Sequence, residues 1–148
     1  MISFGFPIDV ARPVGEVFAY VTDPSNLPEW QETDHVEQLT PGAVTTGTRF
    51  REIHHVLGRR LESISEVSAY ELERRFDLRI VSLPARVADR WTFEAIPEGT
   101  RVHFATEGRA RALLRPFESF IAGVLERRRR ENHARLKRAL EGQGPGSS

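Results

Sequence analysis

Apolar side chains alternate with small or polar ones at the start of the chain. Within residues 2–10 every second position is apolar: Ile2, Phe4, Phe6, Ile8 and Val10. This period of two predicts a β-strand that buries one face. Pro7 falls on the opposite face, and it favours an edge position because proline cannot donate a hydrogen bond to a neighbouring strand.

A helical period follows and predicts two short helices. Pro13 suits the first turn of a helix that runs to about Thr22. Asp23 can cap a second helix with Pro24 at its first position, so this segment predicts a corner between two helices. We expect Trp30 to close one end of the sheet in a structural role rather than to contact a ligand.

About six further strands are predicted between the short helices and the end of the sheet, and after residue 47 the signals lie at 48–57, 60–70, 74–83, 86–96 and 100–108. Glycine and proline mark the turns between them, most clearly at residues 97–99, Pro-Glu-Gly. Because consecutive strands are joined by short turns, the pattern predicts an antiparallel meander.

The last segment has the period of an amphipathic helix from Pro116 onward, and after a charged stretch Leu136 and Leu140 continue the apolar stripe. Residues 142–148 are predicted to be a disordered tail. The chain is thus predicted to be a single α+β domain over residues 1–141. In it a curved antiparallel sheet of about seven strands wraps around the long C-terminal helix, with the two short helices after strand 1.

Composition excludes several classes of function. The chain has 148 residues with 21 basic and 21 acidic side chains, so it has no overall attraction to nucleic acid. It has no cysteine, which excludes disulfides, thiolate nucleophiles and Cys-ligated metals. No apolar run approaches the roughly 18 residues of a membrane span, and we expect a soluble, cytoplasmic protein. Phosphate loops and dinucleotide fingerprints are missing, so no cofactor is predicted.

Five segments carry a family resemblance: PVGEVFAYVTDPSNLPEW at 13–30, Gly-x-Arg-Phe at 47–50, EVSAYE at 66–71, GTRVHF at 99–104 and ENHARLKRALE at 131–141. In this order the chain resembles the START-like (SRPBCC) superfamily, and within it the polyketide cyclase/dehydrase-like group with the helix-grip fold. The resemblance implies a deep cavity between sheet and long helix that binds apolar ligands such as sterols, lipids and polyketides. The family has no universal catalytic motif, so fold alone does not decide function.

Strand alternation predicts which side chains face that cavity. The inward positions mix apolar residues with serine and threonine, whose small side chains leave room that a packed core would fill. With the start of the long helix included, the predicted ligand-binding residues are Tyr20, Phe50, Ser63, Ser65, Leu78, Trp91, Phe93, Phe104, Thr106, Phe117, Phe120, Ile121 and Val124.

Three ionisable residues, Glu52, His54 and Asp89, are the candidate catalytic groups on this apolar face. A carboxylate in such a site costs several kcal/mol unless it is paired or protonated, so these residues are candidates for proton transfer or for anchoring a ligand hydroxyl or carbonyl. The structural alternative, which we favour, places them at the wet mouth of the cavity or pairs Asp89 with Arg79 or Arg90.

The register of strand 48–57 is open from sequence. If Phe50 faces inward, so do Glu52 and His54, whereas the opposite register turns His55 inward instead. We prefer the first register because the bulky residue after Gly-x-Arg usually packs inward in the family.

The remaining charged residues predict no metal site and no nucleic-acid surface. His54 and His55 are adjacent and would point to opposite faces of a strand, and the other histidines have no metal-like spacing with them. The arginines of residues 127–130 cover all sides of a helix, which indicates a solvated stretch that leaves the sheet, with an arginine guarding the cavity end as the minor alternative.

Binding or carrying of an apolar small molecule by a monomer or homodimer is the favoured function. The alternative is a polyketide cyclase or dehydratase in which Glu52, His54 and Asp89 supply acid/base groups and Trp91 a wall for ring stacking. A third hypothesis, a protein-interaction module, rests on the arginine-rich helix alone.

Overall fold

The computed structural model describes residues 1–31, 33–56, 58–82 and 84–142. Its strands are β1 (Ile2–Val10), β2 (His35–Gln38), β3 (Arg49–Val56), β4 (Arg59–Glu71), β5 (Arg75–Val81), β6 (Ala85–Ile96) and β7 (Gly99–Ala110). Its helices are α1 (Val14–Thr22), α2 (Leu27–Trp30) and α3 (Glu118–Glu141), with 3₁₀ turns at Pro24–Asn26 and Ala112–Phe117.

All seven strands form one antiparallel sheet in the order β1-β7-β6-β5-β4-β3-β2. The meander is therefore continuous from β2 to β7, and β1 closes the far edge by pairing with β7, where Pro7 lies opposite His103. The predicted fold class is confirmed. β2 is the strand that the sequence pattern left unplaced, because its four residues carry no alternation of apolar side chains.

The predicted corner between the two short helices is confirmed. The Asp23 Oδ1 atom accepts hydrogen bonds from Ser25 N at 2.9 Å and from Ser25 Oγ at 2.7 Å, and Pro24 takes the first position of the 3₁₀ turn. Phe18 of α1 is buried and packs its ring edge-on against Phe93 at 5.1 Å between centroids. This corner holds α2, and with it Trp30, beneath α3.

The long helix begins two residues later than predicted. Pro116 lies inside the 3₁₀ turn, and α3 starts at Glu118, whose Oε2 accepts a hydrogen bond from Ala110 N at 2.9 Å. At the other end the N–H of Gly142 donates to Arg138 O at 2.9 Å. Of the predicted disordered tail, residues 143–148 lie outside the described part of the chain.

Two apolar clusters hold α3 against the sheet. The larger one joins Leu136 and Leu140 of α3 to rings from α1, α2 and the central strands. The smaller one packs Ile121 and Leu125 of α3 against Ala85 and other residues at the ends of β1 and β6. Each fully buried apolar side chain stabilises the fold by about 1.5–3 kcal/mol. The space between sheet and helix that these clusters leave is the candidate site.

Candidate functional site

Two neighbouring chambers lie between α3 and the concave face of the sheet. The inner chamber leaves about 70 Å³ and the outer about 130 Å³ accessible to the centre of a water-sized sphere. They share the lining residues Gln31, His54, Ser63, Ile80, Arg129 and Asn132. Since one water needs at least about 10–15 Å³ by this measure, each chamber has room for several water molecules or for a small organic group of the same size.

Aromatic rings form most of the inner chamber. Trp30 of α2, Phe50 of β3, Phe76 of β5 and Trp91 of β6 line it together with aliphatic side chains such as Leu78. Four of these five side chains are almost fully buried, and Leu78 is half-buried. Rings of this size offer flat apolar walls to a ligand.

The small side chains of two serines on β4 leave space in the inner chamber. Ser63 and Ser65 lie in the lining where a larger residue would fill the space, and Ser65 is directly opposite Phe50 in the β3–β4 register. The outer chamber is the more open of the two and is lined by aliphatic residues such as Leu61, Val87 and Leu125.

One buried ion pair joins the sheet to α3 at the cavity wall. Asp89 on β6 is 2 % exposed, and its Oδ2 atom lies 3.0 Å from a terminal nitrogen of Arg129, whose side chain is 19 % exposed. Thr106 on β7 donates its hydroxyl hydrogen to Asp89 Oδ1 at 2.8 Å. Burial raises the pKa of Asp89 above its ordinary value, and the Arg129 charge and the Thr106 hydrogen bond oppose that shift. The ion pair with Arg129 thus holds the Asp89 carboxylate in place at the cavity wall.

His133 on α3 is a second buried polar group, and its partners fix its tautomer. The indole N–H of Trp91 can only donate, and it reaches His133 Nε2 at 3.0 Å. Nε2 therefore accepts, and the ring proton sits on Nδ1, which donates to Arg129 O at 2.7 Å. Burial lowers the pKa of His133 from 6.5 to about 4. With both nitrogens engaged and the ring neutral, His133 orients Trp91 rather than exchanging protons with a ligand.

Glu52 and His54 face the cavity from β3, in the preferred of the two registers. Glu52 is buried, and its Oε1 accepts the hydroxyl hydrogen of Thr33 at 3.0 Å. His54 is half-buried, with Nε2 lying 3.3 Å from Ser63 Oγ. His55 is exposed on the opposite face. Two groups able to exchange protons thus line the chamber side by side on one strand.

Three buried polar atoms of residues that line the inner chamber lack a hydrogen-bond partner within the described residues. One is Arg129 Nε, which belongs to the guanidinium already paired with Asp89. The other two are Trp30 Nε1, which can only donate, and Ser65 Oγ, which can donate or accept. An unpaired buried group of this kind costs about 1–3 kcal/mol. Both atoms are therefore suited to a polar group of a molecule held in the chamber.

The structure brings part of the predicted site together. The lining contains Phe50, Glu52, His54, Ser63, Ser65, Leu78, Asp89 and Trp91. Four predicted residues lie behind or beside it. Tyr20 donates its hydroxyl hydrogen to Glu29 at 2.5 Å, and Phe93 packs on α1. Phe104 packs on His133 with centroids 4.5 Å apart, and Thr106 supports Asp89.

The start of α3 departs from the prediction. Phe117 and Phe120 are exposed, and neither lines the cavity. Phe117 ends the 3₁₀ turn, and within α3 the residues that pack toward the sheet are Ile121 and Leu125. Ile121 and Val124 are half-buried at the side of the cavity rather than in its lining.

Sequence reasoning missed Trp30 as a lining residue, together with Arg129, Asn132 and His133 of α3. Trp30 was expected only to close the sheet, and Arg129 was expected to be solvated. One of the structural alternatives paired Asp89 with Arg79 or Arg90, whereas Asp89 pairs with Arg129 and Arg90 pairs with Asp77 at 3.3 Å. A signal was present, since Arg129, His133, Leu136 and Leu140 follow one another at helical spacings of three and four, with Asn132 three residues after Arg129. This spacing extends the buried face into the charged run.

Similar folds are found in solved structures. The Zhui aromatase/cyclase from Streptomyces sp. R1128 matches with a TM-score of 0.82 and 15% identity, covering 99% of this chain and 97% of that one. Ara h 8.0201 matches with a TM-score of 0.78 and 12% identity over 95% and 97% of the two chains. The di-domain ARO/CYC BexL from the BE-7585A biosynthetic pathway matches with a TM-score of 0.76 and 20% identity, over 93% of this chain and 45% of its own. At these identities the likeness concerns the fold.

Sequence comparison assigns the family. No curated protein matches the chain. The model of the family described as "Polyketide cyclase / dehydrase and lipid transport" matches residues 1–141, which confirms the resemblance drawn from the motifs. The chain therefore belongs to the polyketide cyclase/dehydrase and lipid transport family.

Proposed function

We propose that this protein binds or carries an apolar small molecule, such as a polyketide, lipid or sterol-like compound, in the cavity between sheet and α3. The observation that carries the proposal is the inner chamber, where aromatic walls surround buried polar atoms that have no partner among the described residues. A ligand with an apolar ring and one polar group would satisfy both features. Because the two chambers share six lining residues, a ligand with its ring in the inner chamber would have its longer part next to the outer one.

The chain has its own reporters for this proposal. Its two tryptophans, Trp30 and Trp91, both line the inner chamber. Titration with 2-naphthol, emodin, oleate and cholesterol should therefore quench tryptophan fluorescence saturably for at least one compound. The same compound should raise the melting temperature, because a ligand that binds the folded state alone stabilises it.

Filling the chamber supplies the matched test. Ser65→Leu places a larger side chain in the inner chamber, whereas Ser3→Leu makes the same change at an exposed position of β1. We expect Ser65→Leu to abolish the quenching and Ser3→Leu to leave it unchanged. The proposal is wrong if no compound of the panel binds, or if Ser65→Leu binds as the unchanged protein does.

A cyclase or dehydratase activity is the second candidate, and Glu52 and His54 favour it. Ring closure or loss of water needs a base that removes a proton beside a carbonyl and an acid that protonates the departing oxygen. Glu52 and His54 face the chamber together, whereas Asp89 is held by Arg129 and Thr106 and is better suited to a structural role.

Substitution separates binding from chemistry. Glu52→Gln and His54→Gln should leave ligand affinity within a few-fold of the unchanged protein under the binding proposal. If a reactive poly-β-ketone is cyclised by the protein, either change should alter the product profile while binding persists. Identical products with and without protein would remove the enzymatic alternative.

A further inference from the structure

Three large apolar side chains are exposed to solvent in the segment that connects β7 to α3. Leu113, Phe117 and Phe120 are 93%, 59% and 73% exposed. Leu113 and Phe117 belong to the 3₁₀ turn and Phe120 to the first turn of α3, so the three lie within one short segment. We call these residues the apolar tip. Exposed apolar groups concentrated in this way mark an interaction surface.

Positive charge surrounds the apolar tip. The stretch 109–120 contains Arg109, Arg111 and Arg115 and a single acidic residue, Glu118. Glu118 is buried, and its carboxylate accepts the Ala110 N–H and pairs with the N-terminal ammonium and, at 3.8 Å, with Arg115. It therefore presents little negative charge to solvent. Guanidinium groups beside apolar anchors have the chemistry of segments that lie on anionic lipid surfaces.

A pair of like charges lies at the same end of the sheet. Arg109 of β7 stands directly opposite Arg86 of β6, and both are exposed. In the part of the chain that the structure describes, neither guanidinium has an ion-pair partner. Like charges directly opposite each other destabilise a sheet. An anionic surface against this end would offset their repulsion.

The apolar tip adjoins the open chamber. Arg111 Nε donates to Ser82 O at 3.0 Å, and its backbone N–H donates to Pro84 O at 3.0 Å. Ser82 and Pro84 both line the outer chamber. A surface that received the tip would therefore lie close to the mouth of the cavity.

We propose that the apolar tip and the arginines around it dock this protein on an anionic lipid bilayer. The three apolar side chains enter the headgroup region, and the arginines contact lipid phosphates. No helix in the described part of the chain is long and apolar enough to span a membrane, so the docking is peripheral. This inference does not depend on what the cavity holds.

Vesicle co-sedimentation tests the docking surface. The probes are phosphatidylcholine vesicles and vesicles in which one third of the lipid is phosphatidylglycerol. We expect the protein to bind the anionic vesicles more tightly and to lose binding as salt screens the arginines. Leu113→Ser with Phe117→Ser and Phe120→Ser should weaken that binding by at least about tenfold. Leu72→Ser, at a residue that is 68% exposed in the β4–β5 turn, is the matched control and should leave it unchanged.

Substitution of Arg86 and Arg109 gives a second test, in which weaker vesicle binding can be distinguished from a loss of folding. Arg86→Gln with Arg109→Gln removes two like charges and should weaken binding to anionic vesicles by about tenfold or more. The same variant should resist urea at least as well as the unchanged protein, because a repulsion is lost. Equal binding to both vesicle types, or unaltered binding by the apolar-tip variant, overturns the proposal. So does a concentration-dependent dimer that forms through the tip without any vesicle binding. The fluorescence titration in vesicle-free buffer should be the same for all these variants, which separates this proposal from that of ligand binding.

Discussion

Arg129→Met removes the charge of Arg129 while keeping an apolar chain of similar reach. The Asp89 carboxylate, 2% exposed, would then keep Thr106 as its hydrogen-bond donor but lose its cation. Removing one partner of a buried ion pair generally costs about 3–5 kcal/mol, because the other charge stays buried and uncompensated. The Arg129 side chain is 19% exposed, and this exposure weakens the ion pair. We therefore expect Arg129→Met to lower the free energy of unfolding by about 3 kcal/mol.

The destabilisation caused by Arg129→Met should become smaller as the pH falls. Burial already raises the pKa of Asp89, and without Arg129 nothing opposes that shift except the Thr106 hydroxyl. In the Arg129→Met protein the folded state therefore binds a proton more readily than the unfolded state does. Its stability relative to the unchanged protein should recover as the pH falls from neutral through the raised pKa of Asp89.

Urea unfolding followed by tryptophan fluorescence measures these changes. Asp89→Asn alone should also destabilise, because it leaves a buried guanidinium without a counter-charge. The double variant of Asp89→Asn and Arg129→Met should return to within about 1 kcal/mol of the unchanged protein. Arg127→Met, at an exposed position of the same helix, is the control and should change stability by less than about 0.5 kcal/mol. A small effect of Arg129→Met, or a double variant as unstable as the sum of the two changes, would refute the coupling.

Two further predictions concern His133 and the close approach of β7 to β6. Since the folded state holds the pKa of His133 at about 4 against 6.5 when unfolded, acid should destabilise the protein from pH 6.5 down to about 4, by about 2 kcal/mol at pH 5. His133→Gln, which keeps a donor and an acceptor, should lack this part of the pH dependence of the urea midpoint, and an unchanged dependence would contradict the lowered pKa of His133. Gly108→Ala should destabilise by about 1–3 kcal/mol, because its Cβ would lie 2.2 Å from Arg86 O. Gly123→Ala, where a Cβ meets nothing within 4 Å, should instead stabilise α3 by up to about 1 kcal/mol in thermal unfolding, and the reverse order of the two variants would refute this account.

The alternation of apolar and polar residues predicted most of the fold, because most of the strands have one buried face. The alternation around Phe50 and Trp91 placed those residues correctly on the concave face, and the Asp23 cap marked the corner between the short helices. β2 escaped detection because a short strand with exposed side chains leaves no apolar alternation.

The polar side of the site could not be predicted in the same way. A run of arginines suggests exposure to solvent. The helical spacing of Arg129 to His133 and Leu136 marks the face on which Arg129 lies, but not its pairing with Asp89. Phe117 and Phe120 continue an apolar helical pattern in the sequence, yet both are exposed in the fold. Tertiary contacts decided both outcomes, and local periodicity does not encode them.

The central claim is that a ligand enters the inner chamber beside Trp30. The chain has two tryptophans, so a ¹⁵N-labelled sample gives two indole N–H signals by NMR. The Trp91 indole is already bound to His133 Nε2, whereas the Trp30 indole has no partner among the described residues. Titration with a compound that quenches fluorescence should shift the Trp30 indole signal saturably and move the Trp91 signal less. If neither indole signal moves at saturating ligand, the molecule binds elsewhere and the account of this cavity is contradicted.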